Sequence, residues 1–429
     1  MACLKVGVVG CGYWGPNLVR AFTEIPQASV HAVADRDRSR IEHIQVRYPY
    51  IEHFALDYRS LFDLSLDAVV VSTPLGTHFE IVRACLERGL HVFVEKPLAT
   101  NSEDARLLVE LAQAKDCILM VGHISTYNPA VRELKQMIDS GTLGEIRYID
   151  AVRVGLGSFH SALNVIWDLA PHDVSTLLHV LGEPPLSVST RGIACVQESI
   201  EDVAYMTLMF PSGILAHSRM SWLDPRKTRR VTVVGTKKMV VYDDVESHEK
   251  LKIYDKRVSA VRPTDTFGEF QFAYHYGSVV SPYIELEEPL RLECLHFAEC
   301  VSEHEQPLTD GWNGLQVVQV IEAAQRSLRE GGIPVPVNGE RGAAPTLREV
   351  ITIHSPGIAG RDGAYPNVGS TTYPKKSVVD GAVLTTVSTD VLLRPNDGEP
   401  VEPLDGERPR EIDLGSPSIN GDDAQGTVP

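Results

Sequence analysis

The stretch Lys5-Val6-Gly7-Val8-Val9-Gly10-Cys11-Gly12-Tyr13-Trp14-Gly15-Pro16 decides the fold. Its first five residues are mostly β-branched and apolar, the texture of a short buried strand. A G-x-G-x-x-G follows, and Pro16 then sits where a helix tolerates proline best, in its first turn. Three glycines at that spacing are common by chance. Between a strand and a helix they are the dinucleotide-binding fingerprint. Gly10 permits the tight turn, Gly12 lets the backbone approach a pyrophosphate, and Gly15 lets helix and strand close together. The unpaired N–H groups of the helix start favour the phosphates, with Tyr13 and Trp14 as flanking cofactor contacts.

Working outward, strand-like runs at Val30–Ala34, Ala68–Val71, His91–Val94 and Ile118–Val121 alternate with helical segments. One helix follows Pro16. Another, His78–Arg88, stops at Gly89. A third, Ala105–Ala114, lies behind a Thr100/Glu103 capping box. The alternation predicts a parallel, doubly wound α/β domain over residues 1–125. Asp35 ends the second strand and is placed to accept hydrogen bonds from the adenosine ribose, favouring NAD. Arg36 beside it is the opposing signal, so NADP stays open. Ligands bind at the ends of parallel strands, which makes Ser72, Thr73, Pro74 and His78 cofactor candidates. Glu95-Lys96-Pro97 closes the next strand but one after Asp35's. A lysine there can donate to a substrate hydroxyl and relay a proton, although most lysines are merely solvated.

From about residue 145 the texture changes. Segments 146–154, 186–193, 203–210, 214–222, 231–234 and 239–242 read as successive strands, with helices near 168–181, 288–303 and 314–329. That order predicts an α+β domain over 126–337, built on an open, mostly antiparallel sheet. Within Trp167-Asp168-Leu169-Ala170-Pro171-His172, the acid and the histidine stand four apart and share one helix face. An acid beside a histidine fixes its tautomer and raises its basicity. A helix-surface ion pair is the plainer reading. Zinc is disfavoured because no third ligand has suitable spacing, and no metal site is expected.

Composition excludes other classes. Forty Lys plus Arg against 57 Asp plus Glu gives −17, a charge that repels nucleic acid and anionic membranes. The seven cysteines are scattered and form no C-x-x-C pair, so they read as reduced thiols of a cytoplasmic protein. The start carries no signal-peptide pattern. Residues 338–429 hold 12 Gly and 10 Pro, a composition that predicts a disordered tail.

The strand–G-x-G-x-x-G start, the Glu95-Lys96-Pro97 triplet and the Asp168…His172 pair, in that order, resemble the glucose–fructose oxidoreductase/inositol dehydrogenase (Gfo/Idh/MocA) family. The resemblance covers about residues 4–337. It implies an N-terminal Rossmann domain and a C-terminal sheet often used for homo-oligomers. It also implies oxidation or reduction of a sugar or cyclitol hydroxyl by nicotinamide. Carried over by position, Lys96, Asp168 and His172 form the catalytic set, and Pro97 follows a cis bond. The segment from Gly122-His123 to Asn128-Pro129 resembles the stretch beside the nicotinamide. His123, Tyr127, Arg153 and Trp167, with Lys96 and His172, are accordingly substrate candidates. Tyr13-Trp14-Gly15-Pro16-Asn17-Leu18 looks like members acting on nucleotide sugars in surface-polysaccharide or amino-sugar pathways. A free inositol or simple sugar dehydrogenase shares the same residues. A non-catalytic dinucleotide-binding sensor or scaffold is the alternative of another class.

Overall fold

The computed structural model describes residues 3–157, 159, 163–260 and 272–337. The predicted tail lies outside them.

The first sheet holds β1 (Leu4–Val9), β2 (Ala28–Ala34), β3 (His53–Ala55), β4 (Ala68–Val71), β5 (His91–Glu95) and β6 (Leu119–Gly122). All pairs are parallel, in the order β3-β2-β1-β4-β5-β6. The order reverses between β1 and β4, the switch point where such sheets bind dinucleotides. Strands β4 and β6 are buried at every residue, as expected where helices cover both faces. Helices α1 (Gly15–Glu24), α2 (Arg38–Arg47), α3 (His78–Glu87) and α4 (Ser102–Ala114) make the crossovers. The α4 cap is Asn101, whose side chain accepts from the Asp104 N–H, one residue beyond the Thr100 start that the sequence suggests.

The second sheet has nine strands: β7 (Ile146–Val154), β8 (Ser187–Ile193), β9 (Val203–Met209), β10 (Leu215–Ser221), β11 (Thr228–Gly235), β12 (Met239–Asp243), β13 (Leu251–Ala260), β14 (Phe272–Val280) and β15 (Val335–Pro336). Its order is β14-β13-β12-β11-β7-β10-β9-β8-β15, antiparallel throughout except for the parallel pair β7–β10. One face buries a core against α5 (Pro129–Asp139), α6 (Val165–Leu181) and α8 (Gly311–Arg329). The other face is open and alternates outward, with Tyr148, Tyr205 and Leu215 exposed.

Two late helices return to the first sheet, and the second of them also enters the core of the second sheet. Helix α7 (Pro289–Glu303) sends Leu290, Cys294 and Phe297 into the core between α1 and the first sheet. Helix α8 faces both ways: Val317, Val320 and Ile321 enter the second sheet's core, while Leu315 and Val318 enter the first sheet's. Burying a Val or Leu contributes about 1.5–3 kcal/mol each. The crevice between the C-terminal strand ends of the first sheet and helix α6 is therefore held from behind.

Candidate active site

The glycine loop joins β1 to α1. Gly10 has φ +96°, and a Cβ there would stand 2.7 Å from the Ser72 carbonyl oxygen. A Cβ on Gly15 would collide with the Gly10 carbonyl. Gly12 by contrast faces open space, with only an Arg40 nitrogen 3.6 Å from its built Cβ. The first turn of α1 has no side-chain cap and no acidic residue, leaving its N–H groups for an anion. This loop fits a pyrophosphate.

Asp35 directly follows β2 and is nearly buried. Its Oδ2 accepts the Cys11 N–H at 2.6 Å and its Oδ1 accepts the Asp37 N–H at 2.8 Å. A carboxylate has about four acceptor positions, so both oxygens keep capacity for ribose hydroxyls. The cation beside it is Arg40, 3.8 Å from Asp35 and 3.4 Å from Asp37. Arg36 is exposed, and its side chain has no hydrogen-bond or ion-pair partner among the described residues. The basic counter-signal therefore sits one helical turn later than the sequence suggested, where α2 brings residue 40 back over the loop.

Ser72 donates to the Gly10 carbonyl at 2.7 Å and so clamps the loop to β4. His78 corrects the sequence reading. It is buried, with its ring nitrogens 2.8 Å from the Thr73 carbonyl and 2.9 Å from the Pro97 carbonyl. Both nitrogens face backbone carbonyls, and a neutral ring donates its one N–H to either of them, so the ring lies between the β4 end and the β5 turn and is directed at backbone and not at a cofactor. The Lys96–Pro97 bond that it steadies is cis.

Lys96 projects from that turn toward α6. Its ammonium donates to the Asp168 carbonyl oxygen at 3.0 Å and lies 3.6 Å from the Asp168 carboxylate. The other carboxylate oxygen accepts the Trp222 indole N–H at 3.0 Å. Helical spacing had paired Asp168 with His172. In the folded chain the acid holds Lys96 instead, and the His172 Nδ1 is buried without a partner among the described residues. Burial, reinforced by the charges of Lys96, Arg153 and Arg229, holds the His172 imidazole well below its ordinary pKa. It is neutral at physiological pH, as a proton acceptor must be.

His123 follows β6 and is 1% exposed, with both ring nitrogens unpartnered among the described residues. Burial, then the Lys96 charge, pushes it down to about 3. Buried polar atoms of this kind normally have partners, so His123 and His172 leave three ring nitrogens suited to a ligand. Glu95 lies behind Lys96; burial pushes its carboxyl up to about 7, against the pull of Lys96 and the Trp14 indole. Gly122 makes room for it, since a Cβ there would stand 3.2 Å from its Oε1.

The remaining candidates divide. Arg153 donates to Asp173 at 2.7 Å, next in chain to His172, and thus lies at the crevice. Trp167 packs between the cores of the two sheets. Tyr13 is 94% exposed, and Trp14 packs against the α1 side. Tyr127 is a correction: it is fully buried, its hydroxyl 3.3 Å from Thr309 Oγ1 and its ring beside His296. It belongs to the core under α7. Trp222, Arg229 and Arg40 escaped the sequence reading. Trp222 and Arg229 come from β-segments remote in sequence, and only Arg40, five residues after Asp35, carried a local signal.

Residues 4–123 match the oxidoreductase family with an NAD-binding Rossmann fold, and residues 131–241 match the GFO/IDH/MocA C-terminal domain. This chain belongs to the Gfo/Idh/MocA oxidoreductases. It is an NAD(P)-dependent dehydrogenase acting on CH–OH groups. It is 28% identical over 353 residues to scyllo-inositol 2-dehydrogenase (NAD(+)) of Bacillus subtilis, spanning 79% of this chain and 97% of the relative. To UDP-N-acetylglucosamine 3-dehydrogenase of Acidithiobacillus ferrooxidans it is 28% identical over 240 residues, covering 54% and 72%. The fold is shared with the WlbA dehydrogenase of Bordetella pertussis, solved with NADH and UDP-GlcNAcA. That match has TM-score 0.63, 21% identity, and coverage of 78% and 99%. No helix among the described residues is long and apolar enough to cross a membrane, and they contain no cluster suited to a metal ion.

Proposed function

We propose that the chain transfers hydride between NAD and a ring hydroxyl or keto group of a nucleotide-linked sugar, in amino-sugar or surface-polysaccharide synthesis. The observation that carries the reading is the convergence of Lys96, fixed by Asp168, with neutral His172 in one crevice beside the glycine loop. The bound nicotinamide would take or give the hydride. Lys96 donates a hydrogen bond to the reacting oxygen and offsets its growing negative charge. His172 accepts the hydroxyl proton in oxidation and returns it in reduction. Asp168 and Trp222 keep the ammonium aimed. His123 offers its unpartnered nitrogens to the cofactor or substrate, and Arg153 stiffens the His172 backbone through Asp173. Asp35 supports NAD over NADP, with Arg40 as the residue that tempers the preference. A sensor without catalysis would have no use for Lys96, Asp168 and His172 together.

The open face of the second sheet, with its outward Tyr148, Tyr205 and Leu215, supports a homo-oligomer joined through that face; light scattering would report the mass. All seven cysteines are free, in keeping with a reducing cytoplasm. Mass spectrometry of ligands retained on purification, followed by turnover of UDP-sugars and inositols with NAD, tests the substrate. Oxidation of a UDP-sugar supports the proposal. Turnover of free inositol alone would replace it with a cyclitol dehydrogenase.

A further inference from the structure

Strand β11 lies antiparallel to β7 with Arg229 directly opposite Arg153. The inward positions of both strands are odd-numbered: Ile149 and Ala151 are buried on β7, Val231 and Val233 on β11. Both arginines therefore stand on the same face, toward α6. Like charges placed opposite each other destabilise a sheet, and an arrangement of this kind persists when something negative offsets it.

For Arg153 that something is Asp173, which accepts the Arg153 Nε–H on one oxygen at 2.7 Å and the Ser218 Oγ–H on the other at 2.8 Å. Arg229 has no hydrogen-bond acceptor or ion-pair partner among the described residues, although it is partly buried. Three acids act on it: Asp244, Asp173 and Asp168. Each is engaged elsewhere. Asp244 accepts from Tyr242 and Asn128 and faces Lys250. Asp173 is held by Arg153 and Ser218, and Asp168 by Lys96 and Trp222. A guanidinium presents five donors in a planar fork suited to carboxylate or phosphate. A partly buried one at the wall of a substrate crevice, with no ion-pair partner among the described residues, is a ready anion receptor.

We infer that Arg229 is a specificity-determining residue that binds an anionic group on the substrate, either a carboxylate on the sugar ring or the diphosphate of a nucleotide sugar. The inference rests on the reading of the crevice as a sugar oxidoreductase site and narrows its substrate class. Arg153, already neutralised, supports the wall. Arg229 supplies the free charge, one strand away and level with the residue that touches Asp173.

The test measures affinity by calorimetry on the full chain loaded with NADH, using UDP-N-acetylglucosamine (diphosphate, neutral ring), glucuronate (ring carboxylate, no nucleotide) and myo-inositol (no charge). NADH affinity reports that each variant remains folded. In Arg229→Ala, affinity for the anionic probe relative to myo-inositol should fall about ten- to hundredfold, the size of a lost charged hydrogen bond. Arg229→Lys should recover part of the loss, and salt should weaken the wild type more than Arg229→Ala. Binding of UDP-N-acetylglucosamine alone assigns the diphosphate; binding of glucuronate alone assigns the carboxylate. An unchanged ratio in Arg229→Ala overturns the inference. So does wild-type protein that binds and oxidises myo-inositol but neither anion, which would leave the oxidoreductase reading intact. Wild-type protein that binds NADH but no sugar of any charge sinks both.

Discussion

Replacing Asp168 by Asn separates two roles that the sequence had merged. The change keeps the shape of the side chain, and its amide oxygen can still accept the Trp222 indole at the present 3.0 Å. The Lys96 ammonium retains the Asp168 backbone carbonyl but loses a charge 3.6 Å away. At that separation two unit charges interact by about 1 kcal/mol at the dielectric of water and by about 4.6 kcal/mol at an effective value of 20. The side chains are 18% and 26% exposed, so a figure near 2 kcal/mol between those limits is reasonable. That corresponds to a fall of roughly thirtyfold in kcat. NAD affinity should hold, because the glycine loop and Asp35 are untouched. A second readout needs no turnover: Lys96, freed of its counter-charge, should react faster in reductive methylation followed by peptide mass spectrometry. Trp222→Phe removes the indole N–H together with part of a ring buried in the second core; it should lower the melting temperature while costing less in kcat, about tenfold or under. If Asp168→Asn keeps full activity and unaltered Lys96 labelling, the acid does not hold the lysine in solution. If it loses as much as His172→Ala while labelling stays constant, the acid acts on the histidine after all.

Other outcomes follow from the same geometry. Asp35→Ala strips an acceptor from the Cys11 and Asp37 N–H groups and should weaken NAD about ten- to hundredfold, lower the melting temperature and narrow the gap to NADP; tighter NADP than NAD in the wild type would promote Arg40 to the deciding residue. Glu293 on α7 is fully buried with both carboxylate oxygens unpartnered among the described residues, and burial, then Glu95, holds its pKa well above the ordinary value. An acid whose folded pKa is raised costs stability as pH climbs above its unfolded value, at about 1.4 kcal/mol per pH unit while the folded group keeps its proton. Glu293→Gln should accordingly raise the melting temperature more at pH 8 than at pH 5, and equal shifts at both would show that the carboxyl is not buried in its neutral form. Because Glu95 sits at about 7 and His172 far lower, an acid limb near pH 7 in kcat belongs to Glu95 and should vanish in Glu95→Gln; its survival there would return it to another group.

The fold was legible wherever the signal was local. Strand β1, its glycine turn and the helix beginning at Gly15 are adjacent in sequence, and their roles follow from sterics of the turn alone. Lys96 could be placed because a strand end in a parallel sheet has only one neighbourhood. Burial on the two faces of β14 is almost nil, so it lacks the period-2 pattern that marks a half-buried strand. Helix α2 buries only Ile41 and Ile44, too little for a stripe. The site residues that stayed hidden depend on long-range register. Nothing near Arg229 in sequence indicates that it will face Arg153, and nothing near Trp222 indicates an indole aimed at Asp168. Tyr127 erred the opposite way: its segment runs beside the crevice, but α7 covers the ring. The Asp168–His172 pairing was a sound helical inference that a stronger partner, the Lys96 ammonium, overrode.

In the proposed mechanism Lys96 and His172 handle one proton on one substrate oxygen. A double-mutant cycle on kcat, with NAD affinity measured alongside, tests it most directly. Positioned acid–base groups contribute about 10²–10⁴-fold, so Lys96→Ala and His172→Ala should each lose at least about a hundredfold. The double mutant should fall well short of the product of the two losses. Near-normal turnover in His172→Ala, with NAD bound and the chain folded, would contradict the account and move the proton to another group, His123 first.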